Sequence, residues 1–146
     1  MGIVWVLCSK PQFEVKLTDL EYTKIIDRSG SDRARVTTSC VGTQGWQAPE
    51  VQSGLSNEKS SDIFSLGLVY FYVLSGGQHA LGRDRQQRSR RMDLLKHEMS
   101  TAPLRDSLRG LCQRAGPEAA DVVNAMLQPE MRRRPTIAEV WARTNR

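Results

Sequence analysis

The segment that decides the fold is Ser61-Asp62-Ile63-Phe64-Ser65-Leu66-Gly67-Leu68-Val69-Tyr70-Phe71-Tyr72-Val73-Leu74. It is hydrophobic on nearly every side of a helical projection, which is typical of a helix buried all round. Ser61-Asp62 predicts its start, and Gly76-Gly77 predicts its end because glycine readily adopts the left-handed conformation that ends helices. The apolar run is shorter than the roughly 20 residues that cross a bilayer, so it predicts a buried helix and no membrane segment.

The sequence after this segment predicts further helices. Residues 78–91 are polar and basic, and we expect a loop there that leads into a helix near 92–99. Pro117 suits the first turn of a helix whose apolar side carries Val122, Val123, Met126 and Leu127. Thr136 and Glu139 have capping-box spacing for a last helix containing Ile137, Val140 and Trp141.

The sequence before this segment predicts a short β-hairpin and irregular chain. Residues 3–8 and 15–18 have strand character, with Pro11 and Gln12 at the turn between them. Residues 27–35 are polar and glycine-containing, which predicts a loop, and residues 42–49 form a second irregular stretch. The fold class is therefore mainly α, with an N-terminal β-hairpin, an irregular middle and four or five helices.

Composition is that of a soluble globular domain. Of the 146 residues 39% are hydrophobic and 25% charged, and the formal net charge is +5. Much of the positive excess lies in the arginine-rich stretches 83–91 and 132–134. Basic stretches can bind nucleic acid or acidic lipid, but we favour solvated surface arginine and expect no nucleic-acid partner.

The cysteines predict neither disulfides nor a zinc site. Cys8, Cys40 and Cys112 are odd in number and widely spaced, and His79 and His97 are isolated as well. Disulfide frameworks and zinc sites need paired spacings that are absent here. A reducing compartment follows, and we expect a cytoplasmic location.

Four blocks of sequence carry the candidate chemistry. Val15-Lys16-Leu17-Thr18-Asp19 ends a predicted strand in a carboxylate, the ligand type that Mg²⁺ prefers beside phosphate. Gly42-Thr43-Gln44-Gly45-Trp46-Gln47-Ala48-Pro49-Glu50 follows, then Asp62-Ile63-Phe64-Ser65-Leu66-Gly67, then Arg132-Arg133-Arg134-Pro135-Thr136. Two of these blocks also have an ordinary structural explanation when taken alone: Asp19 as a turn residue, and Asp62 as a helix N-cap.

Together, and in this order, the blocks resemble the C-terminal lobe of protein kinases, from about Val15 to Trp141. They correspond to the magnesium-binding Asp, the end of the activation segment with its Ala-Pro-Glu, the Asp-x-x-Ser-x-Gly helix and the final Arg-Pro. Trp46 and Gly77-Gln78-His79-Ala80-Leu81-Gly82 are similar to the inositol-requiring kinase/endoribonuclease family of unfolded-protein sensors. Ser9-Lys10-Pro11 fits the same comparison.

The resemblance implies a role for each matching residue. Asp19 would be the Mg²⁺ ligand, and Thr43 would lie near the substrate hydroxyl. Glu50 and Arg134 would form a buried ion pair, and Asp62 would accept hydrogen bonds from the catalytic-loop backbone. The hydroxyl residues that would carry activating phosphate, which nearby Arg28, Arg33 and Arg35 would bind, are Ser29, Ser31, Thr37, Thr38 and Ser39. The ordinary structural alternative is that these hydroxyls are merely solvated in a polar loop.

Departures from the family pattern concern catalysis. Asp19-Leu20-Glu21 has Glu where the family has Gly, which restricts the backbone and adds negative charge near Mg²⁺. No residue here matches the catalytic base of His-Arg-Asp, nor the glycine-rich loop and lysine that hold ATP, nor the ribonuclease module of the resembled family. We therefore expect residues 1–146 to be a partial kinase-like domain, a C-lobe without N-lobe or catalytic loop, with no catalytic residue of its own.

Three functions stay open at this stage. The first is a piece of a serine/threonine kinase whose complete parent binds ATP and Mg²⁺, phosphorylates a protein substrate and pairs with a second kinase domain. The parent family is anchored in the endoplasmic reticulum membrane, although this chain has no such segment. The second is a non-catalytic pseudokinase-like binding module, consistent with Glu21, and the third is a small basic RNA-binding domain. This chain alone is expected to bind neither cofactor tightly.

Overall fold

The computed structural model describes residues 4–9, 12–17, 43–55, 58–98 and 100–145. The hairpin belongs to one unit, residues 1–42, and the helices belong to another, residues 43–146. In the first unit β1 (Val4–Ser9) pairs with β2 (Gln12–Leu17) in an antiparallel register that runs from Val4 opposite Leu17 to Ser9 opposite Gln12. The predicted hairpin is present, but Gln12 begins β2 instead of lying in the turn. Alternating apolar residues explain the earlier start, because Phe13 extends the period-two pattern of β2 backwards.

The second unit is helical. Its elements are α1 (Pro49–Gln52), α2 (Lys59–Leu74), α3 (Arg85–Glu98), α4 (Arg105–Ala115), α5 (Pro117–Met126) and α6 (Ile137–Thr144), with single 3₁₀ turns at Ala102–Leu104 and Met131–Arg133. The single turn α1 closes the irregular stretch, and the helices that follow agree with the predicted mainly α class. None of the described helices is long and apolar enough to cross a membrane.

Helix α2 begins earlier than its apolar run suggests. Its N-cap is Glu58, and the Glu58 backbone N–H donates to Ser61 Oγ at 3.3 Å. Asp62 therefore lies inside the first turn, and the interpretation of Asp62 as the N-cap is wrong. The carboxylate still lies near the positive end of the helix dipole, where acidic residues are favoured.

The predicted glycine stop of α2 is confirmed. The Gly77 N–H donates to the Tyr72 carbonyl at 2.8 Å, and the Gly76 N–H donates to the Val73 carbonyl at 3.2 Å. Both glycines have positive φ, 73° at Gly76 and 90° at Gly77. This is the Schellman arrangement, which satisfies the last carbonyls of the helix and needs a residue without Cβ at the left-handed position.

Helix α2 packs between two hydrophobic clusters. The larger cluster joins it to α3, α4 and α5 through Phe64, Leu68, Phe71, Leu81, Met92, Leu95, Leu104, Leu111, Val123 and Leu127. The smaller cluster joins it to α5 and α6 through Ile63, Val122, Met126 and Val140. The two clusters remove most of the apolar surface of α2 from water up to Phe71. Tyr72, Val73 and Leu74 are exposed, so the prediction of a helix buried on nearly every side is wrong for its last turn.

Helix α2 packs tightly against α5 at Gly67. A Cβ placed there would lie 2.9 Å from Met126 Cβ and 3.0 Å from Leu127 Cδ2. Such distances are shorter than van der Waals contact, so only glycine lets the two helices pack at this spacing.

Helix α3 starts seven residues before the expected position, because residues 85–91 are helical and not a loop. Asp84 provides the reason: its Oδ1 accepts from the Gln87 N–H at 2.8 Å, and its carbonyl accepts from the Arg88 N–H at 3.2 Å. The cap initiates a helix whose arginine-rich first turns give no apolar pattern.

The two last helices match their predictions. Pro117 occupies the first helical position of α5. At α6 the Glu139 N–H donates to Thr136 Oγ1 at 3.3 Å, and the Thr136 N–H donates to Glu139 Oε2 at 2.7 Å, which closes the capping box. Of the apolar residues predicted on α6, Val140 is buried, while Ile137 and Trp141 are exposed.

Candidate functional site

The stretch from Thr43 to Glu50 enters the helical unit as a turn followed by a helix. The Trp46 N–H donates to the Thr43 carbonyl at 3.0 Å and closes the turn. Ala48 is fully buried, and Pro49 then opens α1, which carries Glu50 into the interior. The motif predicted as the end of an activation segment is thus packed into the core at its Ala-Pro-Glu end, while Thr43 and Gln44 stay exposed.

Glu50 is held by Arg134 in a buried bidentate ion pair. Arg134 Nη1 lies 2.6 Å from Glu50 Oε1, and Arg134 Nη2 lies 2.9 Å from Glu50 Oε2. The exposed fraction is 0% for the Arg134 side chain and 8% for Glu50. Two parallel hydrogen bonds between charged groups fix the orientation as well as the distance. The ion pair expected between these residues is therefore present.

The remaining polar atoms of this pair also have partners. Arg134 donates from Nε to the Gln128 carbonyl at 2.7 Å, from Nη1 to the Ser60 carbonyl at 3.0 Å and from Nη2 to the Pro129 carbonyl at 2.9 Å. Its guanidinium also lies 4.9 Å from the ring centre of Phe64. These contacts offset the cost of burying the charge, and they join α1, the start of α2 and the loop after α5.

Ser61 completes the environment of Glu50, because Ser61 Oγ donates to Glu50 Oε1 at 2.7 Å. Desolvation by burial raises the pKa of Glu50, but the hydrogen bonds from Arg134 and Ser61 together with the Arg134 charge outweigh it, so that its pKa lies below 4.5. The carboxylate is consequently ionised at neutral pH, and the pair holds two opposite charges.

Trp46 lies in an aromatic cluster with Tyr72 near the end of α2 and His79 in the α2–α3 connection. Its ring centre is 4.5 Å from that of His79 with the planes at 87°, and 5.6 Å from that of Tyr72 with the planes at 68°. Edge-to-face pairs of this kind stabilise by roughly 0.5–1.5 kcal/mol beyond area burial. The two motif pieces that suggested the subfamily, around Trp46 and around His79, are in direct contact.

His79 is held as a neutral ring. Its Nδ1 accepts from the Leu81 N–H at 3.1 Å, and its Nε2 is buried without a well-aligned hydrogen bond among the described residues. Burial and the positive charge of Arg88 lower the pKa of His79 to about 4, although its contact with the Gly45 backbone raises it. Since Nδ1 is an acceptor here, the neutral ring carries its proton on Nε2.

The first turn of α3 contacts the exposed end of the same segment. Arg85 donates from Nε to Gln44 Oε1 at 2.9 Å and from Nη2 to the same oxygen. The Arg88 side chain passes over Gly45, and it donates to the carbonyls of Gly82 at 3.2 Å and Arg83 at 2.9 Å. Sequence reasoning missed these contacts because no local pattern relates polar residues 41 positions apart.

Of the candidate site residues not yet placed, the described part of the chain contains only Asp62. Asp62 is exposed in the first turn of α2, its carboxylate has no hydrogen-bond partner in the described part of the chain, and partial desolvation raises its pKa. The candidates outside the described residues are Asp19, Ser29, Ser31, Thr37, Thr38 and Ser39. Within the described ranges no group of three acidic, histidine or cysteine side chains is placed to hold a metal ion.

Comparison with known proteins points in one direction. The sequence profile of the protein kinase domain matches residues 5–144. The serine/threonine-protein kinase/endoribonuclease IRE1a of Arabidopsis thaliana is 31% identical over 136 residues, 92% of this chain and 15% of that protein. The sensor for unfolded proteins in the ER ire1 of Schizosaccharomyces pombe is 28% identical over 150 residues, 90% of this chain and 13% of that protein.

A human relative extends the pattern. The serine/threonine-protein kinase/endoribonuclease IRE2 of Homo sapiens is 36% identical over 104 residues, 69% of this chain and 10% of that protein. The chain thus spans 10–15% of the length of these three relatives. The resemblance to kinase/endoribonucleases that rests on Trp46 and residues 77–82 is confirmed by these similarities. Since the kinase profile covers nearly the whole sequence and the ion pair joins two of the motifs that carry the match, the chain belongs to the protein kinase family.

Proposed function

We propose that this chain forms the part of a serine/threonine protein kinase domain that ends the activation segment and anchors it to the helical lobe. The complete protein would transfer the γ-phosphate of ATP to serine or threonine of a protein substrate. The observation that carries the proposal is the buried Glu50–Arg134 pair. It fixes the Glu50 end of the Thr43–Glu50 segment in the helical unit, while Thr43 and Gln44 at the other end are exposed. A protein substrate can reach only such an exposed edge.

The roles of individual residues follow from that placement. Thr43 would contact the substrate near its reacting hydroxyl, and Glu50 with Arg134 would hold the segment still, which matters because phosphoryl transfer depends on positioning. Asp62 would orient the backbone of a catalytic loop through its exposed carboxylate. A protein substrate and a second kinase domain are the partners that this function implies.

ATP and Mg²⁺ are the cofactors of the proposed function. When bound, the ion would neutralise charge on the phosphates. Of the residues in this chain only Asp19 is proposed as its ligand, and the described residues offer no alternative group. We propose that the chain by itself binds Mg-ATP weakly, because a single carboxylate leaves Mg²⁺ most of its water.

Regulation by phosphorylation is part of the same proposal. Ser29, Ser31, Thr37, Thr38 and Ser39 share a stretch with Arg28, Arg33 and Arg35. A phosphate there would gain charge-assisted hydrogen bonds from arginine. Phosphopeptide mapping of the active full-length protein should find phosphate on at least one of the five hydroxyls, and a stretch without phosphate would contradict this role.

A second candidate function is a non-catalytic pseudokinase-like module. Glu21 favours it, because a side chain and a second negative charge replace the glycine of the magnesium motif. In this alternative the Glu50–Arg134 anchor would hold a binding surface and no phosphate would be transferred.

The test uses the protein encoded by the full-length transcript. Wild type, Asp19→Asn and the control Asp106→Asn, an exposed acidic residue of α4, are incubated with labelled ATP and a generic acceptor protein. The kinase proposal expects wild type and the control to transfer phosphate at similar rates. It expects the transfer rate of Asp19→Asn to be at least about a hundredfold lower. No transfer by a folded wild-type protein would support the pseudokinase alternative instead.

A further inference from the structure

The start of α3 presents three arginines whose charge is not neutralised by any acidic side chain in the described part of the chain. Within the described ranges no carboxylate lies within the 4.0 Å of a salt bridge to Arg83, Arg85 or Arg88. The acidic residue among them, Asp84, turns its Oδ1 to the Gln87 N–H and caps the helix. The first turn of a helix adds further positive potential, so this is a strongly cationic part of the surface.

Two of these arginines, Arg85 and Arg88, adjoin the exposed end of the activation segment. Arg85 is bound to Gln44, whose neutral amide orients the guanidinium without cancelling its charge. Arg88 is fixed between Gly45 and the carbonyls of Gly82 and Arg83. The charge of Arg88 also contributes to the lowered pKa of His79.

We propose that Thr43, Gln44, Arg83, Arg85 and Arg88, the "cationic edge", bind acidic side chains of the protein substrate. The preferred substrate would carry Asp, Glu or phosphorylated residues within a few positions of its phosphoacceptor. The inference rests on the proposed function, since that function brings the substrate hydroxyl to Thr43. Arginine is suited to this task because its planar donors match a carboxylate or phosphate in two hydrogen bonds.

A peptide fits the cationic edge better than RNA does. RNA binding needs a track of cations along many phosphates and aromatic rings on which bases stack. Here the cations form one short cluster with Asp84 inside it, and the neighbouring Trp46 ring already packs against Tyr72 and His79. A short acidic segment matches this size and charge.

The test measures equilibrium binding of labelled nine-residue peptides to the whole chain by fluorescence anisotropy at low and high salt. The peptides share a central serine flanked by glutamates, by glutamines or by phosphoserines, and a single-stranded RNA of equal charge is the fourth probe. The variants are Arg83→Gln/Arg85→Gln and the control Arg132→Gln, an exposed arginine of another segment. Circular dichroism checks that each variant is folded.

We expect the glutamate peptide to bind about tenfold more tightly than the glutamine peptide at low salt, and less so at high salt. The double variant should bind the glutamate peptide about tenfold more weakly than wild type does, and the control should bind it less than twofold more weakly. The phosphoserine peptide should bind to wild type at least as tightly as the glutamate peptide. Equal affinity for glutamate and glutamine peptides, or an equal loss in the control, overturns the proposal. So does tighter binding of RNA that the double variant abolishes.

This assay contains neither ATP nor Mg²⁺, so it distinguishes a failure of the proposed kinase activity from a failure of the proposed binding site. If the acidic peptide binds at the cationic edge but the full-length protein transfers no phosphate, the proposed kinase activity fails and the binding site stands. If phosphate is transferred without any preference for acidic acceptors, the activity stands and the cationic edge fails.

Discussion

Arg134 forms two parallel hydrogen bonds with the carboxylate of Glu50, which lies 84 residues earlier in the chain. Helix α1 is a single turn and has little stability of its own, so this pair, together with Ser61 and the Ser60 carbonyl, determines where the exposed end of the segment stands. The contact connects the stability of the helical lobe to the proposed substrate site.

The first prediction is that Arg134→Ala destabilises the chain far more than Arg132→Ala. Removing Arg134 leaves Glu50 buried without its cation, at a cost of roughly 3–5 kcal/mol. Thermal unfolding should then occur roughly 10 °C or more below the wild-type midpoint. Arg132 is exposed and has no ion-pair partner in the described part of the chain, so its loss should leave the midpoint nearly unchanged. Equal effects would mean that the buried pair does not stabilise the fold.

The second prediction concerns acid and Glu50. The pKa of Glu50 is lowered in the folded chain from an ordinary value of 4.5, so the unfolded chain takes up this proton first as the pH falls. The stability from the ion pair should be fully present above about pH 4.5 and should decline as the pH falls below it towards the folded pKa. Urea unfolding between pH 7 and pH 3 measures this decline.

The matched variants for that experiment are Glu50→Gln and Glu118→Gln, the latter an exposed residue of α5. Glu50→Gln should be less stable at pH 7 and should lack the part of the decline below pH 4.5 that wild type shows. Glu118→Gln should follow wild type. A Glu50→Gln profile parallel to wild type over the whole range would show that the pair contributes no pH dependence.

Local signals predicted the elements that local interactions specify. The apolar run of α2, its glycine stop, Pro117 of α5 and the Thr136–Glu139 capping box all act within a few residues, and each is present. The Glu50–Arg134 contact is long-range, and only the resemblance to kinases suggested it. Its geometry follows from packing between α1, α2 and the loop after α5, which no local pattern encodes.

The start of α3 and the cationic edge show what sequence patterns miss. Residues 85–91 are rich in arginine, and the helix buries Met92 and Leu95 only further along, so hydrophobic periodicity begins too late to mark its start. The contact of Arg85 with Gln44 joins two polar residues from different elements, and polar pairs of this kind carry no signal in sequence. Both features depend on tertiary structure.

The third prediction compares two helical glycines. Gly67→Ala should destabilise the chain by roughly 1–3 kcal/mol, because its Cβ would lie 2.9 Å from Met126 Cβ and force α2 away from α5. Gly110→Ala in α4 meets no atom within 4 Å and should stabilise by roughly 0.5–1 kcal/mol through helix propensity. Urea denaturation of both variants gives the comparison, and a neutral Gly67→Ala would contradict the tight packing of the two helices.

The last prediction is that His79 makes the fold sensitive to mild acid. Its pKa falls from 6.5 in the unfolded chain to about 4 in the folded chain, mainly by burial and also by the charge of Arg88. Protonation would also turn Nδ1 into a donor and break its bond with the Leu81 N–H. The folded chain therefore resists a proton that the unfolded chain accepts, so stability should fall as the pH drops from about 6.5 to about 4.

The loss should reach roughly 1–3 kcal/mol, since the part of the ring that water reaches screens some of the effect. This window lies above the one in which Glu50 acts, so urea unfolding at pH 7, 6 and 5 separates the effect of His79 from that of Glu50. His79→Asn keeps an acceptor for the Leu81 N–H but cannot titrate, and its stability should stay level over those pH values. The control is His97→Gln on the exposed side of α3, which should keep the wild-type slope. If His79→Asn keeps the wild-type slope, the acid sensitivity belongs to another group and the prediction for His79 is wrong. Loss of the slope in His97→Gln would lead to the same conclusion.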